Sequence, residues 1–224
     1  MERIIQQTED GSQTIAVPDM QLSYHSRHGA VQESMHVFIN AGLKPILSTK
    51  ETIHIFEMGF GTGLNALLTL QQAMQAQQKI YYKTIEFFPL EEVVYTQLNY
   101  TTQLTDKTLQ PSFISMHNCS WEKDAFIQPL FTLHKSTASL LNFSTDQFFD
   151  LIYFDAFDPA AQPELWTQPI FEKMFRMLLP GGLLVTYSSK GIVRRALQAA
   201  GFTVEKLKGP AGKREMVRAK KNPA

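Results

Sequence analysis

Cysteine is nearly absent from this chain. Cys119 is the only one, so no internal disulfide can form, and the pattern suits a reducing cytoplasm. Long apolar runs are also missing: nothing approaches the ~20 consecutive apolar residues of a membrane-spanning helix. The first ten residues, MERIIQQTED, are charged and polar where a signal peptide needs an apolar core. No cysteine–histidine spacing suggests a metal site. Net charge is zero. What remains is an ordinary globular composition, 224 residues at 44% hydrophobic and 19% charged, enough for one α/β domain with a full core.

The zero balance hides a skew. From Lys190 onward there are ten Lys or Arg and two acids, Glu205 and Glu215, a local charge of +8. The rest of the chain carries −8. A basic C-terminal portion on an acidic body suits a polyanion such as RNA; Lys220 and Lys221 also fit a plain solvated tail.

The dinucleotide fingerprint G-x-G-x-x-G is absent as well. The stretch IHIFEMGFGTGLNALLTLQQ from Ile53 to Gln72 has Gly59, Gly61 and Gly63, with Leu64 where that fingerprint needs its last glycine. Apolar Ile53, Ile55, Phe56 and Met58 predict a buried strand, and Leu64 to Leu70 a helix. Strand, glycine turn and helix open a nucleotide-binding α/β unit. Glycines there let a ligand approach the backbone. Glu57, just before them, would repel a pyrophosphate at the helix N-terminus. It suits a ligand with cationic groups and hydroxyls, such as the sulfonium and ammonium of S-adenosylmethionine. The alternative is a glycine turn that only packs helix on strand.

The remaining pattern follows in order. Residues 3–7 and 13–17 predict a hairpin about Asp10-Gly11, and Val31 to Leu43 an amphipathic helix. Tyr24, Ser26, Arg27 and His28 precede that helix, where they reach a ligand or simply cap and solvate. Pro45 marks a boundary, which divides the chain into an N-terminal extension (1–45) and a main domain (46–224). Ile80 to Phe87 is the second core strand, and Glu86 at its end is placed to accept both ribose hydroxyl protons of an adenosine. Leu90 to Leu98 reads as a helix. Pro111 breaks the pattern of an unclear region, after which Phe131-Thr132-Leu133 is a short strand. FDLIYFD, Phe149 to Asp155, is a buried strand ending in a carboxylate at the sheet edge where α/β ligands bind. Asp158 is a second acid or a turn cap. Trp166 either covers the site or anchors its loop. Ile170 to Leu179 is a helix ended by Pro180-Gly181-Gly182, Leu183 to Tyr187 a strand, and Val193 to Ala200 a helix. Phe202 to Leu207 and Glu215 to Ala219 form a terminal hairpin. The expected fold is α/β with a Rossmann-like, seven-stranded, mostly parallel sheet whose last strand is reversed.

YHSRHGAVQESMHVF, FEMGFGTGLNALL, IEFFPLE, LIYFDAFDPAAQPELW and LLPGGLLVTYSSKGIVRRALQAAGFTVEKLKGPAGKREM occur in that order. With them the chain resembles the MnmC/MnmD tRNA methyltransferases, which methylate the aminomethyl group of a modified wobble uridine. The resemblance implies a Rossmann-like domain with S-adenosylmethionine as cofactor and the tRNA anticodon region as partner. Bifunctional members carry a FAD-dependent oxidase domain after the methyltransferase part; the chain stops at Ala224, so the stand-alone form without FAD is expected. The match makes Glu57, Gly59, Gly61, Gly63 and Glu86 cofactor candidates, with Tyr24, Ser26 and Gly29 at the methionine side or substrate entrance. The acid that other members carry after the adenine-side strand is missing at Lys135 and Ser136, so Ser136, Thr137 or a backbone group should serve the adenine. Lys190, Arg194, Arg195, Lys208, Lys213 and Arg214 are candidates for tRNA phosphates.

In this reading Asp155 is the catalytic candidate: it binds the substrate ammonium and orients the amine. An ordinary aspartate, with a pKa of about 3.9, is a weak base for it. Other readings are an aminopropyl transferase acting on polyamines, a methyltransferase of a small amine or a protein, and an inactive tRNA-binding protein.

Overall fold

The computed structural model describes residues 2–223. The N-terminal hairpin forms as the Asp-Gly signal predicts, from β1 (Ile4–Gln7) and β2 (Gln13–Val17), and β3 (Leu22–Ser23) adds a third antiparallel strand. Its turn is tied by Asp10, whose Oδ1 accepts from the Thr8 hydroxyl at 2.8 Å and the Ser12 N–H at 2.9 Å. The same carboxylate reaches across to the next helix, where Oδ2 accepts from the Gln32 N–H at 3.0 Å. That helix is α1 (Ala30–Ser34), running on as a π-helical stretch over Met35–Leu43. Val37, Phe38, Ile39 and Leu43 on it are fully or almost fully buried, within the main core.

The helix lies tight against the sheet at Gly42. A Cβ there would sit 2.9 Å from a Val185 methyl and 3.4 Å from Leu151 and Tyr153. Gly42→Ala is therefore expected to cost about 1–3 kcal/mol by overpacking, seen as a lower urea midpoint with an unchanged slope. The segment before Pro45 is thus packed into the face of the main sheet.

Next come β4 (Thr52–Met58), α2 (Leu64–Ala76) and β5 (Lys79–Glu86). Three short helices follow: α3 (Glu92–Tyr95), α4 (Tyr100–Gln103) and α5 (Gln110–Asn118). The helix expected over 90–98 is only the single turn of α3. Pro111 opens α5 rather than breaking it, since proline at the first helical positions loses no helix hydrogen bond. The chain then forms β6 (Asp124–Gln128), β7 (Phe131–Thr137) and β8 (Phe149–Phe154). It finishes with α6 (Gln168–Met177), β9 (Leu178–Thr186), α7 (Gly191–Ala199), β10 (Thr203–Lys208) and β11 (Glu215–Lys220).

The main sheet runs β10-β11-β9-β8-β4-β5-β7-β6. Its five central strands are parallel, β11 is reversed beside β9, and β6 is antiparallel to β7. The α/β class, mostly parallel order and reversed last strand are as expected. The sheet has eight strands rather than seven. The extra one, β6, is an edge strand with a bulge after Phe126; Phe126 is 85% exposed, so no buried alternation marks it in the sequence.

Pro180-Gly181-Gly182 also behaves differently from expectation. Helix α6 ends before it, and the three residues bulge within β9, where the register on β8 jumps from Phe149↔Leu178 to Leu151↔Leu183. Every residue of β8 is buried, as for a parallel strand covered on both faces. The chain turns outward in both directions from β4 and β8, and that switch point opens a crevice at their carboxyl ends.

Candidate active site

The crevice is a cavity of about 550 Å³, within the roughly 300–1,000 Å³ usual for small-molecule sites. One wall is the glycine turn after β4. Gly59 adopts φ +92° and Gly61 φ +51°, a left-handed backbone that side chains disfavour. A Cβ on Gly59 would meet the Asp155 carbonyl oxygen at 3.2 Å, and one on Gly61 the Tyr24 ring at 3.2 Å. The Gly59 and Phe60 N–H groups both donate to Ile85 O at 3.1 Å, which locks the turn onto β5. Glu86 ends β5 and faces the cavity. Its Oε2 accepts from the Gly61 N–H at 2.9 Å and its Oε1 from the Phe88 N–H at 2.8 Å. These bonds aim the carboxylate while leaving each oxygen a further lone pair.

Asp155, one residue past β8, lies beside the glycine turn, its N–H donating to Met58 O at 3.3 Å, and also lines the cavity. Asn65, in the first turn of α2, donates from Nδ2 to Asp155 Oδ2 at 2.9 Å. Burial above all, and then the charge of Glu33, push the Asp155 carboxyl up to about 7; Asn65 and the Lys213 ammonium oppose this. Beside it the loop is held by Trp166, which is buried and donates from Nε1 to Phe157 O at 2.8 Å. Trp166 therefore anchors the loop and presents no ring to solvent. Asp158 is ion-paired to Lys190 at 2.6 Å.

The N-terminal sheet and α1 close the other side with Tyr24, His25, Ser26 and Glu33. Tyr24 stands edge-on to Phe157, with 5.3 Å between ring centres. Burial pushes His25 down to about 4, so it is neutral at pH 7. Arg3 fastens this side, donating to the carbonyls of Phe88 at 2.6 Å and Pro89 at 3.1 Å. Five carboxylates line the cavity, Glu33, Glu86, Asp155, Asp158 and Glu164, against the permanent cations Arg3 and Lys213. Such a lining attracts cationic groups and repels phosphate.

The structure thus brings Tyr24, Ser26, Gly59, Gly61, Glu86, Asp155 and Lys213 to one cavity. Other expected residues lie elsewhere. Glu57 is 1% exposed beneath the floor, where its Oε2 accepts from the Thr84 hydroxyl at 3.0 Å. Burial first, and Asp155 second, raise its carboxyl well above the usual range, which weakens the charge argument drawn from its position. Gly63 caps α2 with φ +74° behind the wall. Ser136 is buried in β7, and the Thr137 N–H is taken by Glu122 at 2.6 Å; the lining starts one residue later, at Ala138 and Ser139.

Of the expected phosphate contacts, Lys190 is paired to Asp158, and the Arg194 Nε donates to Ser189 O at 3.2 Å. Arg195, Lys208 and Arg214 are exposed. Among the described residues no carboxylate forms an ion pair with these three. Sequence reasoning passed over Arg3, Glu33, Asn65 and Tyr187. Asn65 had a signal, its place in the first turn after the glycines; the other three had none.

Among the described residues no group of three or more His, Cys, Asp or Glu is arranged around a metal position. None of the described helices is long and apolar enough to cross a membrane.

Residues 121–222 match a sequence family described as S-adenosyl-L-methionine-dependent methyltransferase. Among solved structures, MnmC2 from Aquifex aeolicus aligns with 100% of this chain and 72% of its own, at a TM-score of 0.81 and 22% identity. A spermidine synthase from Thermotoga maritima aligns with 99% of this chain and 69% of its own, at a TM-score of 0.57 and 12% identity. Both likenesses are of fold. S-adenosyl-L-methionine is the cofactor that the matched family's description names. The cavity itself fits it: a turn that any Cβ would crowd, an aimed carboxylate at the end of β5, and an acidic lining for a sulfonium and an ammonium.

Proposed function

Taking S-adenosyl-L-methionine-dependent methyl transfer as the premise, we propose that the acceptor is the exocyclic amine of a 5-aminomethyluridine, with or without the 2-thio group, at the tRNA wobble position. The product is the 5-methylaminomethyl form. The observation that carries this is Asp155: a carboxyl pushed up to about 7 stands beside the glycine turn in an acidic cavity. The likeness to MnmC2, which spans the whole of this chain and 72% of that one, supports the same reading.

The cofactor supplies a methyl on a sulfonium, already activated for transfer. Gly59 and Gly61 give it backbone approach, and Glu86 accepts the hydroxyl protons of its ribose. Asp155 binds the acceptor's ammonium and takes its proton, which frees the nitrogen lone pair. That ammonium resembles lysine, with a pKa of about 10.4. Transfer to a carboxylate near 7 is uphill by about 5 kcal/mol, against about 9 for an ordinary aspartate. The elevated value is what makes the group a usable base. Tyr24 and Phe157 form an aromatic wall at the same cavity, suited to a flipped-out base.

The acidic lining keeps phosphates outside, so the tRNA backbone meets the exposed Arg195, Lys208 and Arg214. Replacing Arg195 and Arg214 together by alanine is expected to weaken all tRNAs alike and to reduce the salt slope of binding by roughly 1–2. A filter-binding series from low to moderate salt checks this.

The deciding experiment offers labelled methyl donor and purified protein to two tRNAs. One carries aminomethyluridine at the wobble position and the other an unmodified uridine. Label is expected only in the first, as the methylaminomethyl nucleoside by mass spectrometry; equal labelling of both would remove the assignment. The acidic lining also suits a polyamine, so putrescine with a decarboxylated donor is the control for aminopropyl transfer.

A further inference from the structure

Lys213 does not sit with the other basic residues of its loop. It lies between β10 and β11, yet its side chain turns into the cavity, where its Nζ is 2.5 Å from Glu33 Oε1. The same ammonium stands 3.9 Å from the centre of the Tyr187 ring. Glu33 is fixed for this role: its side chain is 9% exposed and its Oε2 accepts from the Ser26 N–H at 2.8 Å. Tyr187 is fixed too, donating from its hydroxyl to Ala156 O at 2.9 Å. The loop reaches inward at Gly212, with φ +78°, where a Cβ would run into the His28 ring at 2.2 Å. A buried carboxylate beside an aromatic face is the chemistry that recognises an alkylammonium. Lys213 and Asp155 line the same cavity and sense each other's charge.

We propose that Glu33 and Tyr187 complete, beside Asp155, the subsite for the acceptor's ammonium, and that Lys213 is an internal stand-in which holds it until the acceptor arrives. The inference rests on the amine acceptor proposed above and says how that amine is recognised. Lys213 is a primary alkylammonium with the same head group as an aminomethyl substituent. Occupancy by the chain's own lysine keeps the Glu33 carboxylate paired while the site is empty. The acceptor replaces one ammonium by another, so Glu33 keeps a counter-charge until Asp155 takes the acceptor's proton. Apparent affinity for the acceptor is lowered by the fraction of time Lys213 occupies the subsite. A sulfonium lacks the N–H donors that Glu33 accepts, and a neutral amide lacks the positive charge, so the subsite selects protonated primary amines.

The test removes the lysine and supplies its head group separately. In K213A, methylammonium chloride is expected to raise the melting temperature by roughly 2–4 °C over equal sodium chloride, and to leave the wild type unmoved. E33Q/K213A should not respond. No response in K213A, or an equal response in the double variant, would overturn the subsite. K213Q, which keeps the stem against Tyr187, replaces K213A should that variant fail to fold. With amine-bearing tRNA the KM of K213A is expected to fall about three- to tenfold. A KM that rises instead, together with weaker binding of amine-free tRNA, would make Lys213 a phosphate contact and end the stand-in role. The methylammonium measurement uses no tRNA, so it separates failure of the subsite from failure of the tRNA assignment.

Discussion

Asp155→Asn is expected to lower methyl transfer by about 10²–10⁴-fold, with S-adenosylhomocysteine affinity by calorimetry close to that of the wild type. Asparagine keeps the shape and can still pair with Asn65, but it takes no proton. The wild-type rate should rise with pH through about 7, where the Asp155 carboxyl ionises, and the residual rate of the variant should lack that limb. Stability should move the other way. The folded pKa is raised above the reference 3.8, so ionising this group opposes folding. Its cost is absent below about pH 4 and grows until about pH 7. The variant should therefore melt at or above the wild type at pH 8, with the difference shrinking toward pH 4. Unchanged turnover, or a pH limb that survives in the variant, would exclude Asp155 as the base.

Gly59→Val is expected to abolish cofactor binding, with the dissociation constant raised at least about 100-fold and methyl transfer lost with it. Two effects add. A β-branched residue is strained at φ +92°, by about 1–3 kcal/mol. Its Cβ would also stand 3.2 Å from the Asp155 backbone carbonyl, which cannot swing away as a side-chain tip can. The turn must then shift and tilt its wall into the space a ligand needs. Gly61→Val acts at the same wall, but it meets a side-chain ring, that of Tyr24, rather than backbone, so its effect should be smaller. Normal binding by the Gly59 variant would place the cofactor elsewhere.

Glu33, Tyr187 and Lys213 show why part of the site was hidden in the sequence. The Lys213–Glu33 pair joins residues 180 positions apart. Charge pattern placed Lys213 among the tRNA contacts, because a lysine in a basic loop normally faces water. Nothing local says that one of the six residues between β10 and β11 turns inward. Glu33 is an unremarkable acid in an amphipathic segment, and its importance comes from burial against a strand end far along the chain. Glu57 is the opposite case. Its place before the glycines is legible, yet only the packing of Tyr82, Thr84 and Asn65 around it reveals that burial raises its carboxyl. Strand β6 escaped because an edge strand needs no buried face.

The sequence by itself determined the strand–glycine turn–helix opening, the carboxylates ending β5 and β8, and the reversed terminal hairpin. Those features depend on backbone conformation and on apolar runs, which neighbouring residues dictate. Tertiary structure alone decided which charges share the cavity, that the Asp155 carboxyl is lifted into the neutral range, and that Lys213 points inward. Burial and electrostatic coupling act through space, and the distances that set them exist only once the sheet has brought distant segments together.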